Sequence, residues 1–391
     1  MRILQVSGLG YPAGGIEAEL VTMRETLRTM GHSVRTITSD AGPRHTLFSD
    51  DLFPAPRNVF EQVVDRTWNA KSSRLVRRIC RDFAPDIVTF HSMYLPSASA
   101  LHAARDFRQV LFVHGPEYYT KWLLPRIMLP SQYKVGPEDP SQLTLAGHAH
   151  YLYLRYCIRP LFMAEIRRVP NVLAFSRNTQ KMLALEGVPS HHIPNGVLLL
   201  DRKERRKPGC ALGFVGRLVE DKGIDYIIDA FAFAARSNDD ITLYIAGRGT
   251  HSYETHLNRK VSDLGIANRV AFVGHLDRAG LRDFYEKVDL LLMASYHEAF
   301  GMVGVEALST GTPVLAPCVG GISEWLEPGV NGDFISLDDA KQLGRQICNL
   351  LADGESMIRM SGAAVSSARK FDMTSHVREI ASYLENIVRE R

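Results

Sequence analysis

At 391 residues the chain exceeds what one compact core holds and suits two domains of about 150–200 residues each. A near balance of 46 basic and 43 acidic residues, net +3, argues against a dedicated nucleic-acid binder. The five cysteines (Cys80, Cys157, Cys210, Cys318 and Cys348) are scattered and form no CxxC pair, which excludes a disulfide framework or a zinc site and points to the cytoplasm.

The chain opens on a core strand, Arg2–Ser7, with no signal peptide expected ahead of it. Gly14-Gly15 follow, where a double glycine permits close backbone approach to a ligand at a helix start. Ile16, Leu20, Met23, Leu27 and Met30 then keep helical spacing until Gly31 stops the helix. Further short apolar runs, Ser33–Ser39, Asp86–His91, Val110–His114, Asn171–Ser176 and His192–Val197, read as strands buried on both faces of a parallel sheet. His91 and His114 each end such a run, where an imidazole could meet a ligand. The segment from Glu117 to Arg168 breaks the rhythm with Tyr, Leu and Arg; it is expected to be a pair of helices packed on the first domain. An acceptor lid or a patch in peripheral contact with a membrane is the other reading. No apolar run approaches the ~20 residues that span a bilayer.

The charged stretch Asp201–Gly209 is the linker candidate. Beyond it the strand pattern resumes with Ala211–Gly216, Ile241–Ala246, Val270–Gly274, Asp289–Met293 and Thr312–Ala316, separated by helical stretches. Two successive βαβ series predict an α/β chain of two doubly wound, Rossmann-like domains facing each other across a cleft, with ligands beyond the carboxyl ends of the strands.

Two constellations carry chemistry. Arg217 and Lys222 leave the strand that ends at Gly216, and two cations there suit a pyrophosphate, Arg as a planar fork and Lys as a point charge. Glu298 and Glu306 flank Phe300-Gly301-Met302-Val303, where a helix is expected to begin. Its free N–H groups and dipole make an anion site, while carboxylates, as acceptors only, suit sugar and ribose hydroxyls. There is no Gly-x-Gly-x-x-Gly after the first strand, no Walker sequence, no Gly-x-Ser-x-Gly elbow and no Asp-x-Asp. His148-Ala-His150 and His191-His192 lack carboxylate or Cys partners nearby for a metal.

With these residues in place the chain resembles glycosyltransferase family 4. The likeness runs from Gly14-Gly15, Gly31-His32 and His114 through Ile193-Pro-Asn-Gly196, Gly216-Arg217 and Lys222-Gly223. It continues through Glu298 and Glu306 to Gly320-Gly-Ile-Ser-Glu324 and Asn331-Gly332. The resemblance implies the GT-B fold: an acceptor-side domain, 1–197, with a final helix, 372–391, packing back on it, and a donor-binding domain, 198–371. It implies a retaining hexosyltransferase using a nucleotide diphosphate sugar, UDP over GDP, with no metal or other cofactor. It assigns Arg217 and Lys222 to the diphosphate, Glu298 to hydroxyls of the transferred sugar and Glu306 to the ribose. His114 would touch the sugar, while Gly14, Gly15, Gly216 and the backbone of Phe300, Gly301, Met302 and Val303 line the donor. A nucleotide-sugar epimerase or hydrolase on the same fold, or an idle nucleotide-sugar binder, would be the alternatives. The chain departs from the pattern at Arg248, where relatives commonly carry an acid, and at Leu198, where Asp is usual.

Overall fold

The computed structural model describes residues 1–11, 15–115, 145–200 and 209–390. They form two compact units. One takes 1–115, 145–196 and 373–390 of the described residues, the other 197–200 and 209–372.

The first unit holds seven strands: β1 (Arg2–Val6), β2 (Ser33–Ser39), β3 (Asp51–Phe53), β4 (Ile87–Phe90), β5 (Gln109–Val113), β6 (Asn171–Ala174) and β7 (His191–His192). All pairings are parallel, in the order β3-β2-β1-β4-β5-β6-β7. Ile3 lies between Val34 and Ile87, and every residue of β4 and β5 is buried, so helices cover both faces and the strands read as continuous apolar runs. Helix Gly15–Thr29 buries Leu20, Met23 and Leu27. The final helix, Met373–Arg389, packs on it and buries Val377, Ile380 and Leu384.

The second unit repeats the plan with β8 (Ala211–Val215), β9 (Thr242–Ala246), β10 (Val270–Gly274), β11 (Leu290–Leu292), β12 (Val314–Pro317) and β13 (Gly332–Ile335), in the parallel order β10-β9-β8-β11-β12-β13. In each sheet the order reverses beside the first strand, between β1 and β4 and between β8 and β11. Those switch points are where loops diverge and leave a crevice for a ligand.

Two points depart from expectation. The run His192–Val197 keeps a regular ladder only at its first residue, in β7; beyond it the Ile193 and Asn195 N–H groups still donate to the Ala174 and Phe175 carbonyls, at 3.2 and 3.1 Å, but no strand continues. β3 and β13 were not expected, being edge strands of three and four residues that contain Asp and Gly. Within the Tyr-, Leu- and Arg-rich segment, Leu145–Tyr153 and Arg159–Ile166 are helices joined by one wider turn, Leu154–Ile158. Leu154, Ile158, Phe162 and Met163 are buried in the core of the first unit. Residues 117–144 of that segment and 201–208 of the linker candidate lie outside the described residues. Among the described residues no helix is long and apolar enough to cross a membrane.

Candidate active site

β8 delivers its chain into Gly216, and the loop beyond is stitched down on both sides. The Leu218 N–H donates to the Arg248 carbonyl at 2.8 Å, and the Asp221 carbonyl accepts from the Tyr296 N–H at 3.0 Å. These bonds fix the short turn Glu220–Lys222, which leads through Gly223 into helix Ile224–Ala234. Arg217 stays exposed. Lys222 turns toward the loop after β11, where its Nζ lies 2.5 Å from Glu298 Oε1. The Ser295 hydroxyl donates to the same oxygen at 2.8 Å. Both side chains of this ion pair are less than one-fifth exposed.

Glu298 is held from behind. The loop after β12 passes so close that a Cβ on Gly320 would stand 1.5 Å from the Glu298 carbonyl oxygen. Farther on, the Trp325 indole donates to the Phe300 carbonyl at 2.7 Å, and the Asn331 amide donates to the Trp325 carbonyl at 2.7 Å. Phe300 is buried, its ring 5.4 Å from Phe371. The Gly320–Glu324 and Asn331-Gly332 motifs thus brace the segment that carries Glu298, a role spacing along the chain does not reveal.

Gly301 caps helix Met302–Ser309 with φ +84°. The first N–H groups of that helix, those of Met302 and Val303, have no carbonyl within the helix to receive them and sit at the positive end of its dipole. Glu306 stands one turn further on, half-buried, and accepts from the Tyr285 hydroxyl at 3.3 Å. Burial pushes its carboxyl from 4.5 up to about 7, against the pull of the Tyr285 hydroxyl and of Arg278. Burial likewise raises the Tyr285 phenol.

That shift has a measurable sign. Between pH 4.5 and about 7 the folded chain keeps a proton on Glu306 that the unfolded chain has released. Its stabilising share is therefore complete below 4.5 and lost as the pH rises through about 7. Wild type is expected to lose at most roughly 3 kcal/mol across this window through this group, and Glu306→Gln to lose correspondingly less. Thermal melts of both proteins at stepped pH check this, and parallel curves would refute it.

In the first unit His114 follows β5 and is buried, its Nδ1 3.5 Å from Glu19 Oε2. His91 stacks on it at 5.9 Å, and complete burial with His114 alongside lowers the His91 pKa well below the usual imidazole value. Gly15 opens helix Gly15–Thr29, while Gly14 lies outside the described residues. Glu19 and His376 escape notice as motifs. A signal for Glu19 exists: it falls on the apolar face of its helix, three residues after Ile16 and four before Met23. Arg248 is exposed, and a Cβ on Gly274 would meet its guanidinium at 3.2 Å.

All five cysteines are free. Among the described residues no three His, Cys, Asp or Glu side chains are grouped to hold a metal ion.

Comparison with known proteins identifies the family and the fold. The family model described as Glycosyltransferase Family 4 matches residues 13–199, and that described as Glycosyl transferases group 1 matches 201–366. The chain is 29% identical over 247 residues to the lipopolysaccharide core biosynthesis mannosyltransferase of Rhizobium meliloti (strain 1021), covering 57% of this chain and 68% of that protein. It is 31% identical over 198 residues to the D-inositol 3-phosphate glycosyltransferase of Salinispora tropica, covering 49% of this chain but only 40% of that relative's length. An Anabaena protein solved in complex with UDP superposes with a TM-score of 0.74 at 20% identity, over 99% of this chain and all of that one, which shows a shared fold. Two parallel-sheet α/β units of the GT-B type, with the two family models matched in succession along the chain, make this protein a glycosyltransferase of family 4.

Proposed function

We propose that the chain is a retaining hexosyltransferase that moves a sugar from a nucleotide diphosphate donor, UDP rather than GDP, to an acceptor hydroxyl without a metal ion. The observation that carries this reading is the pairing of Lys222 with Glu298 ahead of the Gly301 helix start. One group there suits an anion, the next suits hydroxyls, and free N–H groups follow. Glu306 is the acceptor for the ribose diol, since it only needs to be ionised to receive two donors. UDP is favoured because it is the frequent donor of the family and because the Anabaena protein of the same fold was solved with it. The free cysteines favour the cytoplasm.

In this reading the donor diphosphate draws the Lys222 ammonium from Glu298 and leaves that carboxylate for hydroxyls of the sugar. The C1–O bond to the diphosphate loosens toward an oxocarbenium ion. Arg217, Lys222 and the helix start stabilise the charge on the leaving oxygen. The acceptor hydroxyl attacks C1 from the same face, and the departing diphosphate takes its proton, so configuration is retained. His114 is the sugar contact from the first unit.

Thermal stability against UDP, GDP, ADP and their sugar conjugates, without added metal, tests the donor. A ligand at about a hundred times its dissociation constant adds roughly 2.7 kcal/mol. A uridine nucleotide is expected to give the largest shift, and Arg217→Ala to abolish it. A folded protein that none of them stabilises would refute the reading.

A further inference from the structure

Around His114 the first unit buries three ionisable groups that the donor reading leaves unused, Glu19, His376 and His91. Glu19 is 1% exposed, although its place on its helix belongs to an apolar residue. Its carboxylate lies between two imidazoles: Oε1 is 3.4 Å from His376 Nε2 and Oε2 is 3.5 Å from His114 Nδ1. His376 comes from the final helix, 357 residues along the chain from Glu19. The Phe175 ring covers both imidazoles, with centroids 4.6 Å from His114 and 5.3 Å from His376. On the other side His91 stacks on His114, its own Nε2 3.2 Å from the Thr89 hydroxyl.

A carboxylate removed from water costs several kcal/mol unless its partners compensate, so a fold does not place one here for packing. An imidazole has two chemically distinct nitrogens, and a carboxylate at one of them fixes which carries the proton and how the ring is turned. The 3.4 Å contact to His376 is a long hydrogen bond and the 3.5 Å contact to His114 is at ion-pair range, and contacts of this kind tighten when substrate binds.

We propose that Glu19 is the positioning residue of His114: it accepts a hydrogen bond from the Nδ1–H of that ring, which keeps the proton on Nδ1 and directs Nε2 to the transferred sugar. His376 holds the other oxygen of the carboxylate, which ties the orientation of His114 to the final helix. This rests on the reading of His114 as a sugar contact.

The test compares wild type, Glu19→Gln, Glu19→Asp, His114→Ala and the Glu19→Gln/His114→Ala double variant. Each is titrated with UDP and UDP-glucose, or with GDP and GDP-mannose if the guanine pair gives the larger thermal shift. The bare nucleotide diphosphate should bind all five equally. The preference for the sugar conjugate over it should fall about tenfold in Glu19→Gln and in His114→Ala alike, the loss of one good hydrogen bond. The double variant should be no worse than His114→Ala, because a residue acting through another adds nothing once that other is gone. Glu19→Asp should recover part of the preference. Nitrogen NMR of the imidazoles should show His114 protonated on Nδ1 in wild type and not in Glu19→Gln. Equal weakening of both ligands in Glu19→Gln, additive effects in the double variant, or an unchanged imidazole spectrum would each overturn the proposal. If wild type binds no nucleotide the donor reading fails, and the imidazole spectrum still decides the role of Glu19.

Discussion

Lys222→Ala is expected to lower turnover roughly a hundred- to a thousand-fold, the usual effect of removing one preorganised group from the place where negative charge develops. Two consequences of the geometry act together. The departing diphosphate loses a point charge fixed by the Glu220–Lys222 turn, whose Asp221 carbonyl is tied to the Tyr296 N–H. Glu298, less than one-fifth exposed, keeps only the Ser295 hydroxyl of the two partners now seen on Oε1. Lys222→Arg should recover little, because a planar fork does not reproduce an ammonium seated 2.5 Å from one carboxylate oxygen. Steady-state rates at saturating donor, with a melt to confirm folding, decide it. Near-normal turnover in Lys222→Ala would remove this residue from the leaving-group assignment.

Gly320→Ala is expected to damage fold and activity together. The residue has φ +58°, and its added Cβ would stand 1.5 Å from the Glu298 carbonyl oxygen, so the backbone of one loop must move. Gly265→Ala separates the two costs. Gly265 is also left-handed, at φ +70°, but nothing lies within 4 Å of its Cβ position. That variant should cost only the conformational penalty of roughly 1–2 kcal/mol and leave turnover alone. Gly320→Ala should cost about 1–3 kcal/mol more through overpacking and should also slow turnover, because Glu298 is carried on the displaced backbone. Melting temperatures and rates of the two variants make the comparison. Equal melting losses with unchanged turnover in both would show that the approach of Gly320 does not position Glu298.

Much of the donor site is written locally. Gly216, Arg217 and Lys222 follow one apolar run, and Glu298, Phe300 and Gly301 follow another. Strands buried on both faces of a parallel sheet must be short, apolar and ended by a loop at the carboxyl edge. The sequence by itself therefore determined two series of parallel strands, and it determined that these residues stand at strand exits where anions and hydroxyls bind.

What the tertiary structure alone decided are the contacts between distant stretches. Lys222 and Glu298 are 76 residues apart, and nothing in either segment says that they meet. Trp325 bracing Phe300, and Glu19 lying between His114 and His376, arise only when separate loops and helices are packed together. β3 and β13 belong here too. Gly332 is a strand residue because it pairs with Val314, so closely that a Cβ would stand 1.9 Å from the Val314 carbonyl oxygen. Periodicity and motif spacing record what each segment needs from its own backbone and its own buried face. They carry no record of which other segment supplies the partner, because that choice is made by the long-range packing that closes each core.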